Sequence, residues 1–202
     1  MAEGTLGYIL AAIGAYMLGS IPFGILVAKA LGATDPRTSG SKNIGFTNVL
    51  RVSGKKAGAL TLIGDIGKGV LAAGSASSLG APHQWVLIIA LCVVIGHIFS
   101  IFLGLKGGKG VATALGAVLG IELLLGLCLF GIWIGTVLIF RYSSGGALAA
   151  FASFPILAYA LNGDIQLVLF SFAVLGLIVY GHTENIVRLL KGTEPKMGQT
   201  SI

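Results

Sequence analysis

Three stretches of the sequence combine residue types that can bind an anion. The first, GLKGGKGVAT at residues 104–113, places two lysines among glycines just before an apolar run. Glycines permit positive φ angles, and a helix that starts near Val111 presents free N–H groups and a partial positive charge at its beginning. With the side chain of Lys109, this stretch predicts an anion site. A flexible hairpin with two lysines reaching toward water is the alternative.

This glycine-rich stretch is not a Walker A loop. It is one residue too short, and no Ser or Thr follows Lys109 to hold Mg²⁺. Nucleotide hydrolysis is therefore not expected. The sequence also offers no Cys-x-x-Cys, no His-Glu-x-x-His and no carboxylate cluster suited to a metal, so we predict neither a metal nor a cofactor.

The second stretch, DPRTSGSKNIGFTNVLR at residues 35–51, mixes short polar side chains with glycines and basic residues. Arginine suits bidentate recognition of phosphate, and hydroxyl and amide groups can complete the shell. Apolar residues embedded in the stretch favour a folded loop over a disordered polar one. Its candidate ligands are Ser41, Asn43, Thr47, Asn48 and Arg51, with Arg37 and Lys42 nearby.

The third stretch, GHTENIVRLLKGTEPK at residues 181–196, adds a histidine and an asparagine. On a continuous helix His182 and Asn185 share a face, because they are three residues apart. His182 is either a general base or phosphate ligand, or a surface group at a helix end. Glu184 and Arg188 have the spacing of a simple helical ion pair.

Ionisable residues also occur inside apolar segments. Asp65 and Lys68 are one helical turn apart, and an ionisable group within a membrane requires a partner or a cavity. A structural ion pair and a direct role in the site remain equal alternatives for these two residues. His97, upstream of Lys109, faces either the site or a neighbouring helix.

The composition defines the class. Of 202 residues, 55% are hydrophobic and 10% are charged, against about 25% charged in soluble proteins. Several apolar runs have the roughly 20 residues that a bilayer crossing requires, and the first covers residues 6–28. The net charge of +6 comes from basic residues that flank these runs, which indicates the positive-inside bias of membrane proteins and not nucleic-acid binding. Cys92 and Cys128 lie inside apolar runs and predict no disulfide framework.

The basic clusters predict the topology. If all of them face the cytoplasm, an even number of crossings separates Lys109 from Arg141. The long apolar run at residues 111–140 must then divide into two short helices, with a turn near residues 120–122. The prediction is an all-α, polytopic membrane protein of about seven helices, some short or broken. Its N-terminus lies outside and its C-terminus in the cytoplasm, and residues 1–202 form a single membrane-embedded domain.

The three stretches, together with GSIPFG at residues 19–24, resemble the motifs of the bacterial acyl-phosphate:glycerol-3-phosphate acyltransferases, the membrane-integral PlsY-type family. The motifs run in family order and span nearly the entire chain. The resemblance implies transfer of a fatty acyl group from acyl phosphate to the 1-hydroxyl of sn-glycerol 3-phosphate. The products are lysophosphatidic acid and phosphate, and no covalent acyl-enzyme is needed, because acyl phosphate already carries a good leaving group.

The resemblance also implies residue roles. His182 and Asn185 orient glycerol phosphate or polarise the acyl carbonyl, and the proton acceptor is either His182 or the donor phosphate. Lys109, His182, Asn185 and Arg51 are the implied catalytic residues. The implied phosphate ligands are Ser41, Asn43, Thr47, Asn48, Arg51 and Lys109, with the backbone of Gly107, Gly108 and Gly110.

The sequence departs from the family pattern at four positions. The pattern favours Gly and Ala where this chain has Lys42 and Phe46, Pro at Ser100, and Arg at Thr183. These residues lie between the expected ligands, so we expect them to alter loop shape or acyl preference. Phe46, beside Thr47, is the departure with the most direct bearing on a small phosphate pocket.

Two other functions compete with this interpretation. A small membrane anion or phosphate transporter would also place a broken helix and a lysine at a cavity, but the sequence lacks the duplicated halves common in such proteins. An acyltransferase using acyl-CoA or acyl carrier protein is the second alternative. The implied setting is the inner membrane, with the site facing the cytoplasm. The implied partners are membrane lipids and the two substrates, and the enzyme that makes acyl phosphate is a further candidate.

Overall fold

The computed structural model of the protein describes residues 2–198. The chain forms two compact units; the first ends at Leu123 and the second begins at Leu124. Throughout residues 2–198 the regular structure is helical, with no strand, which confirms the predicted all-α class.

The helices alternate with short connections. The first unit contains α1 (Ala2–Ser20), α2 (Phe23–Ala30), α3 (Phe46–Ser78), α4 (His83–Ile98), a 3-10 turn (Ile101–Leu103) and α5 (Val111–Ile121). The second contains α6 (Leu123–Phe140), apart from its first residue, and α7 (Ser143–Asn162), α8 (Ile165–Gly181) and α9 (Thr183–Leu190).

Four segments are long and apolar enough to cross a membrane, and the number rises to six if each bent helix pair counts as one crossing. The bends are 45° between α1 and α2 and 66° between α8 and α9. Of the seven predicted membrane helices, the one that is not among these six is α5, an apolar helix of 11 residues. At 1.5 Å per residue it covers roughly half of a 30 Å hydrocarbon core, so it matches the prediction of a short helix.

The long apolar run divides as predicted. Helix α5 ends at Ile121, α6 begins at Leu123, and Glu122 between them has extended backbone angles (φ −146°, ψ 107°). Charge parity therefore located this break correctly to within two residues.

The first apolar run, residues 6–28, contains two helices and not one straight helix. The helix breaks at Ile21–Pro22, because proline has no N–H and disfavours helical geometry in the residue before it. The break leaves two backbone carbonyls for side chains of other segments. The Ser100 hydroxyl donates to the Ser20 carbonyl at 2.6 Å, and Lys68 Nζ donates to the Ile21 carbonyl at 3.1 Å.

Helix α3 begins earlier than the hydropathy indicated. The apolar run starts at Ala57, but the helix starts at Phe46 and is kinked at Gly54 (φ 87°, ψ 175°). As a result Thr47, Asn48 and Arg51 lie on the first turns of a helix and not in a loop.

Glycines bring α3 and α5 into close contact. A Cβ added at Gly116 would lie 2.1 Å from the Ile66 carbonyl oxygen, and one at Gly120 would lie 2.8 Å from the Gly74 nitrogen. This Gly-x-x-x-Gly pair therefore serves helix packing, as its spacing indicates. At a second Gly-x-x-x-Gly pair, Gly131 and Gly135 on α6, an added Cβ would meet no atom of the described residues within 4 Å.

Candidate active site

The buried side chain of Asn48 organises the loop before α3. Its Oδ1 accepts a hydrogen bond from the Ser41 N–H at 2.9 Å. Its Nδ2 contacts the carbonyls of Pro36, Ser39 and Asn43, at 2.9, 3.2 and 2.9 Å. The amide group is thus occupied by the loop backbone, which favours an indirect role for Asn48, and its predicted role as a direct phosphate ligand stays a prediction.

The other predicted ligands of this stretch lie around the organised loop. Ser41 is exposed and Thr47 is half-buried. The Oδ1 atom of Asn43 accepts from the Gly45 N–H at 2.9 Å, which forms a local turn before α3. The side chain of Asn43 therefore shapes the loop as well.

The two arginines of this stretch differ in their contacts. Arg37 pairs with Asp35, with Nη2 to Oδ2 at 2.6 Å, and the hydrogen bonds and charge of Arg37 lower the pKa of that carboxyl. Arg51 is half-buried, and no side chain or carbonyl of the described residues forms an ion pair or hydrogen bond with it. Arg51 is therefore the arginine whose guanidinium can bind an anion.

Lys42 adopts a left-handed conformation, with φ of 56°. This conformation costs an L-residue with a Cβ roughly 1–2 kcal/mol and costs glycine far less. The glycine that the family pattern favours at this position thus has a backbone reason.

We expect Lys42→Gly to stabilise the protein by about 0.5–1 kcal/mol, because the relief of backbone strain exceeds the cost of the added chain entropy in the unfolded state. Thermal unfolding in detergent would show a higher midpoint. The control is Lys56→Gly, which removes an equally exposed lysine from a helical position and should destabilise by about 1 kcal/mol. A lower midpoint for both variants would contradict the strain at Lys42.

The glycine loop (residues 104–110) connects α4 with α5 and is held by the end of α4. The Gly107 N–H donates to the Ile98 carbonyl and the Gly108 N–H to the His97 carbonyl, both at 2.9 Å. A Cβ at Gly107 would lie 2.0 Å from the His97 carbonyl oxygen. The predicted phosphate contacts through these two amides are therefore not available here, because both N–H groups already have acceptors. These glycines permit close packing instead.

The end of the glycine loop has the geometry predicted for an anion site. Gly110 has φ of 85° and forms the N-cap of α5, and Lys109 directly before it is half-buried. The first N–H groups of α5 have no partner within the helix, and its dipole adds a partial positive charge there. The backbone geometry expected for an anion site is therefore present at Lys109 and the beginning of α5, and anion binding there stays a prediction.

Asp65 and Lys68 form the buried ion pair that the sequence left as one of two alternatives. Lys68 Nζ lies 2.9 Å from Asp65 Oδ1, and both side chains are at most 2% exposed. His97 is also buried, with its Nδ1 atom 3.5 Å from the same carboxylate oxygen. The three ionisable groups thus form one cluster within the first unit.

In the second unit, His182 lies at the junction of α8 and α9. Its side chain is buried, and Nδ1 lies 2.8 Å from the Ile178 carbonyl oxygen. Because a carbonyl can only accept, Nδ1 carries the hydrogen. In a neutral ring Nε2 is then the acceptor, which is the state that a general base requires.

Asn185 belongs to a cluster around Glu194 that the sequence did not predict. Glu194 Oε1 accepts from Asn185 Nδ2 and from the Ser144 hydroxyl, each at 2.6 Å. Its Oε2 accepts from Arg188 Nε at 2.7 Å. Arg188 also lies near Glu184, at 3.6 Å, as its spacing indicated. The sequence signal for this cluster was weak: Glu194 is one of two acidic residues in a basic segment, and Ser144 is 50 residues away from it.

Glu194 is ionised in this cluster. Burial raises the pKa of its carboxyl, but the hydrogen bonds from Ser144, Asn185 and Arg188 and the charge of Arg188 outweigh burial and lower the pKa below 4.5. The ionised carboxylate therefore stabilises the folded state at pH 4.5 and above. This stabilisation is lost as the pH falls through the lowered pKa.

We expect Glu194→Ala to destabilise the protein by about 1.5–3 kcal/mol, the range for hydrogen bonds to a charged group. The control is Glu184→Ala, which removes the other carboxylate near Arg188. Its side chain is 87% exposed, so this change should cost less than about 1 kcal/mol. Thermal midpoints at pH 7 and pH 4 compare the variants. The difference between wild type and Glu194→Ala should shrink at the lower pH, and an equal loss in both variants would contradict the assignment.

The predicted site residues thus fall into two groups. Ser41, Asn43, Thr47, Arg51, Lys109 and Gly110 belong to the first unit, and His182 and Asn185 to the second. The fold and these groups define a class: a polytopic α-helical membrane protein with basic and polar residues suited to phosphate recognition.

Comparison with known proteins narrows this class. Residues 9–192 match the family model described as glycerol-3-phosphate acyltransferase. The glycerol-3-phosphate acyltransferase of Thioalkalivibrio sulfidiphilus is 44% identical over 186 residues, which cover 92% of each chain. The structure is similar to the crystal structure of PlsY (YgiH), an integral membrane glycerol 3-phosphate acyltransferase, in its glycerol 3-phosphate form. The TM-score is 0.90 and the identity 38%, over 95% of this chain and 96% of that one.

The lysophosphatidic acid form of PlsY is similar as well, with a TM-score of 0.88, 37% identity, and coverage of 95% and 96%. The chain therefore belongs to the glycerol-3-phosphate acyltransferase family and is an integral membrane protein of the PlsY type.

Proposed function

We propose that the protein uses acyl phosphate as donor and acylates the 1-hydroxyl of sn-glycerol 3-phosphate. The hydroxyl oxygen forms a bond to the acyl carbonyl carbon. The bond from that carbon to the phosphate oxygen breaks, and the oxygen leaves with the electron pair. Lysophosphatidic acid and inorganic phosphate are the products.

The likeness to PlsY in its glycerol 3-phosphate and lysophosphatidic acid forms is the observation that supports this proposal most, because these two ligands are the acceptor and the product of the reaction. An acyl phosphate donor brings a second phosphate group that must be recognised. The chain offers polar and basic residues for both in three separate stretches.

The first unit supplies the phosphate ligands in this proposal. The guanidinium of Arg51, the ammonium of Lys109 and the first N–H groups of α5 provide positive charge and donors. The hydroxyls of Ser41 and Thr47 complete the shell. Asn48, Gly107 and Gly108 act indirectly, because their hydrogen bonds fix the loops that carry these ligands.

The second unit supplies the groups that act on the acceptor and the acyl carbonyl. Asn185, fixed by Glu194, donates to the oxygen that becomes negative in the transition state. His182 Nε2 takes the hydroxyl proton, or the leaving phosphate takes it directly. No covalent acyl-enzyme is required in either case, because a mixed anhydride is already activated.

The same proposal includes the setting of the reaction. The basic residues that flank the apolar segments favour a cytoplasmic site in the inner membrane, with the N-terminus outside. The acyl tail then lies among the helices while both head groups meet at the water edge. The enzyme that makes acyl phosphate is the partner that this arrangement favours, because it would deliver a lipid-like donor at the same membrane face.

The orientation predicts which side of the membrane Glu122 faces. A cysteine at Glu122, in a variant lacking Cys92 and Cys128, should react with an impermeant thiol reagent only from the outer side. Labelling only from the cytoplasmic side would overturn the proposed orientation.

The reaction itself is tested with purified protein in lipid, supplied with palmitoyl phosphate and sn-glycerol 3-phosphate without metal or coenzyme A. We expect lysophosphatidic acid and phosphate to appear in equal amounts. Lysophosphatidic acid formed only from palmitoyl-CoA or palmitoyl-acyl carrier protein would overturn the donor. Phosphate flux into vesicles without acyl transfer would instead favour a transporter.

A further inference from the structure

A buried polar cluster lies next to the glycine loop. It consists of Asp65 and Lys68 on α3, His97 on α4 and Thr113 on α5, and these residues are 1%, 2%, 4% and 0% exposed. Four polar residues buried this completely are costly unless they hold one another in a defined arrangement.

The contacts within the buried polar cluster run from α3 through α4 to α5. Lys68 Nζ lies 2.9 Å from Asp65 Oδ1 and also donates to the Ile21 carbonyl. His97 Nδ1 lies 3.5 Å from Asp65 Oδ1 and 3.1 Å from Thr113 Oγ1. His97 therefore links the carboxylate of α3 to the hydroxyl of α5.

His97 also contacts the glycine loop directly. Its carbonyl accepts the Gly108 N–H, and a Cβ at Gly108 would lie 2.1 Å from its Nε2 atom. The imidazole edge thus packs against the Gly108 backbone. Thr113 is the third residue of α5, so His97 contacts the loop on one side of Lys109 and the first turn of α5 on the other.

We propose that Asp65, Lys68, His97 and Thr113 are positioning residues that fix the conformation of the glycine loop and thereby the placement of Lys109 and the beginning of α5. The effect on substrate binding rests on the proposed function, whereas the effect on the loop does not. None of the four residues needs to touch a substrate.

Stability alone does not account for the buried polar cluster. A buried ion pair can often be replaced by apolar residues without loss of stability, because desolvation offsets the attraction. In addition, Asp65 Oδ2 is buried and has no hydrogen-bond partner among the described residues. A cluster of this kind instead specifies one arrangement of the segments that it joins.

The first test removes one hydroxyl. Thr113→Val keeps the shape of the side chain but loses the contact with His97, while Thr113→Ser keeps the hydroxyl. The matched control is Thr61→Val, because Thr61 is equally buried on α3 but its hydroxyl bonds only the Ala57 carbonyl of its own helix. The readout is hydrogen exchange of the Gly107 and Gly108 amides, measured by mass spectrometry on peptides covering residues 104–113, together with steady-state kinetics.

In Thr113→Val we expect exchange of these amides to be about 3- to 10-fold faster, the factor that corresponds to one hydrogen bond. The KM of the phosphate substrate bound at the loop should rise by a similar factor, with kcat within about twofold. Thr113→Ser and Thr61→Val should behave as wild type. Wild-type exchange in Thr113→Val, or equal acceleration in Thr61→Val, would overturn the positioning role.

The second test separates positioning from the mere presence of an ion pair. Asp65→Asn alone leaves Lys68 buried without its partner and can fail to fold, so the double variant Asp65→Asn/Lys68→Met removes both charges. We expect a folded variant whose thermal midpoint falls only by the loss of the Lys68 hydrogen bond to the Ile21 carbonyl, together with faster exchange at Gly108. Wild-type exchange in a folded double variant would refute the role of Asp65 and Lys68.

The two readouts distinguish the two proposals. If wild type turns over no acyl phosphate while Thr113→Val still accelerates exchange, the proposed function fails and the positioning role stands. If turnover is normal and exchange is unchanged in every variant, the positioning role fails and the proposed function stands.

Discussion

We expect Lys109→Ala to lower the rate of acyl transfer at least about a thousandfold. The ammonium is the full positive charge that the glycine loop places before the first turn of α5, where the proposed reaction holds phosphate charge. Removing a single preorganised donor already costs about 10²- to 10³-fold in other enzymes, and a full charge should cost more. The measurement is phosphate release from palmitoyl phosphate by the purified variant.

The same loop supplies the control for this substitution. Lys106 is exposed and three residues away, so Lys106→Ala should leave turnover within about twofold. Lys109→Arg keeps the charge but replaces a compact ammonium with a planar fork, and we expect it to recover only part of the activity. Normal turnover of folded Lys109→Ala would show that the phosphate site lies elsewhere.

We expect Asn185→Ala to lower kcat about a hundredfold or more. In the proposed reaction its amide donates to the developing oxyanion, and one such donor contributes roughly 2.7–4 kcal/mol to the transition state. The hydrogen bond from Asn185 Nδ2 to Glu194 Oε1, at 2.6 Å, fixes the orientation of this amide. The amide can then donate to the oxyanion without first changing its conformation. The rate should fall in kcat more than in KM, because the interaction is made mainly in the transition state.

Two controls accompany Asn185→Ala. Asn162→Ala removes an exposed asparagine at the end of α7 and should leave kcat unchanged. The thermal midpoint of Asn185→Ala shows whether loss of one of three donors to Glu194 unfolds the second unit. An unchanged kcat would remove Asn185 from the oxyanion role, and a rate loss without a stability loss supports it.

The sequence predicted the fold through hydropathy and charge, and both work because a bilayer imposes simple rules. Charge parity alone placed a break near Glu122. The break at Pro22 was missed because the apolar run is continuous there, and hydropathy does not register backbone geometry. The start of α3 was missed for the opposite reason, since its first turns are polar and carry Arg51 and Lys55.

The sequence suggested candidate site residues, but it did not predict which of them form hydrogen bonds within the loops. Asn48 and Gly108 stand among the expected ligands in the sequence, yet their hydrogen bonds go to the protein itself. The path of the loop decides whether a side-chain or backbone amide bonds the protein or remains available to a ligand, and residue types do not determine that path. Glu194 and Ser144 were missed because their contact depends on chain segments 50 residues apart.

The ion pair of α3 has a consequence for biogenesis. Among the four long spans α3 is the least apolar, and a lone Asp or Lys at a helix centre adds about 3 kcal/mol to the cost of insertion. Asp65 and Lys68 are one turn apart on the same helix, so their pair can form as soon as that helix coils. The apolar part of the helix, from residue 57 to 78, then carries no net charge when it leaves the insertion machinery, before α4 has been synthesised.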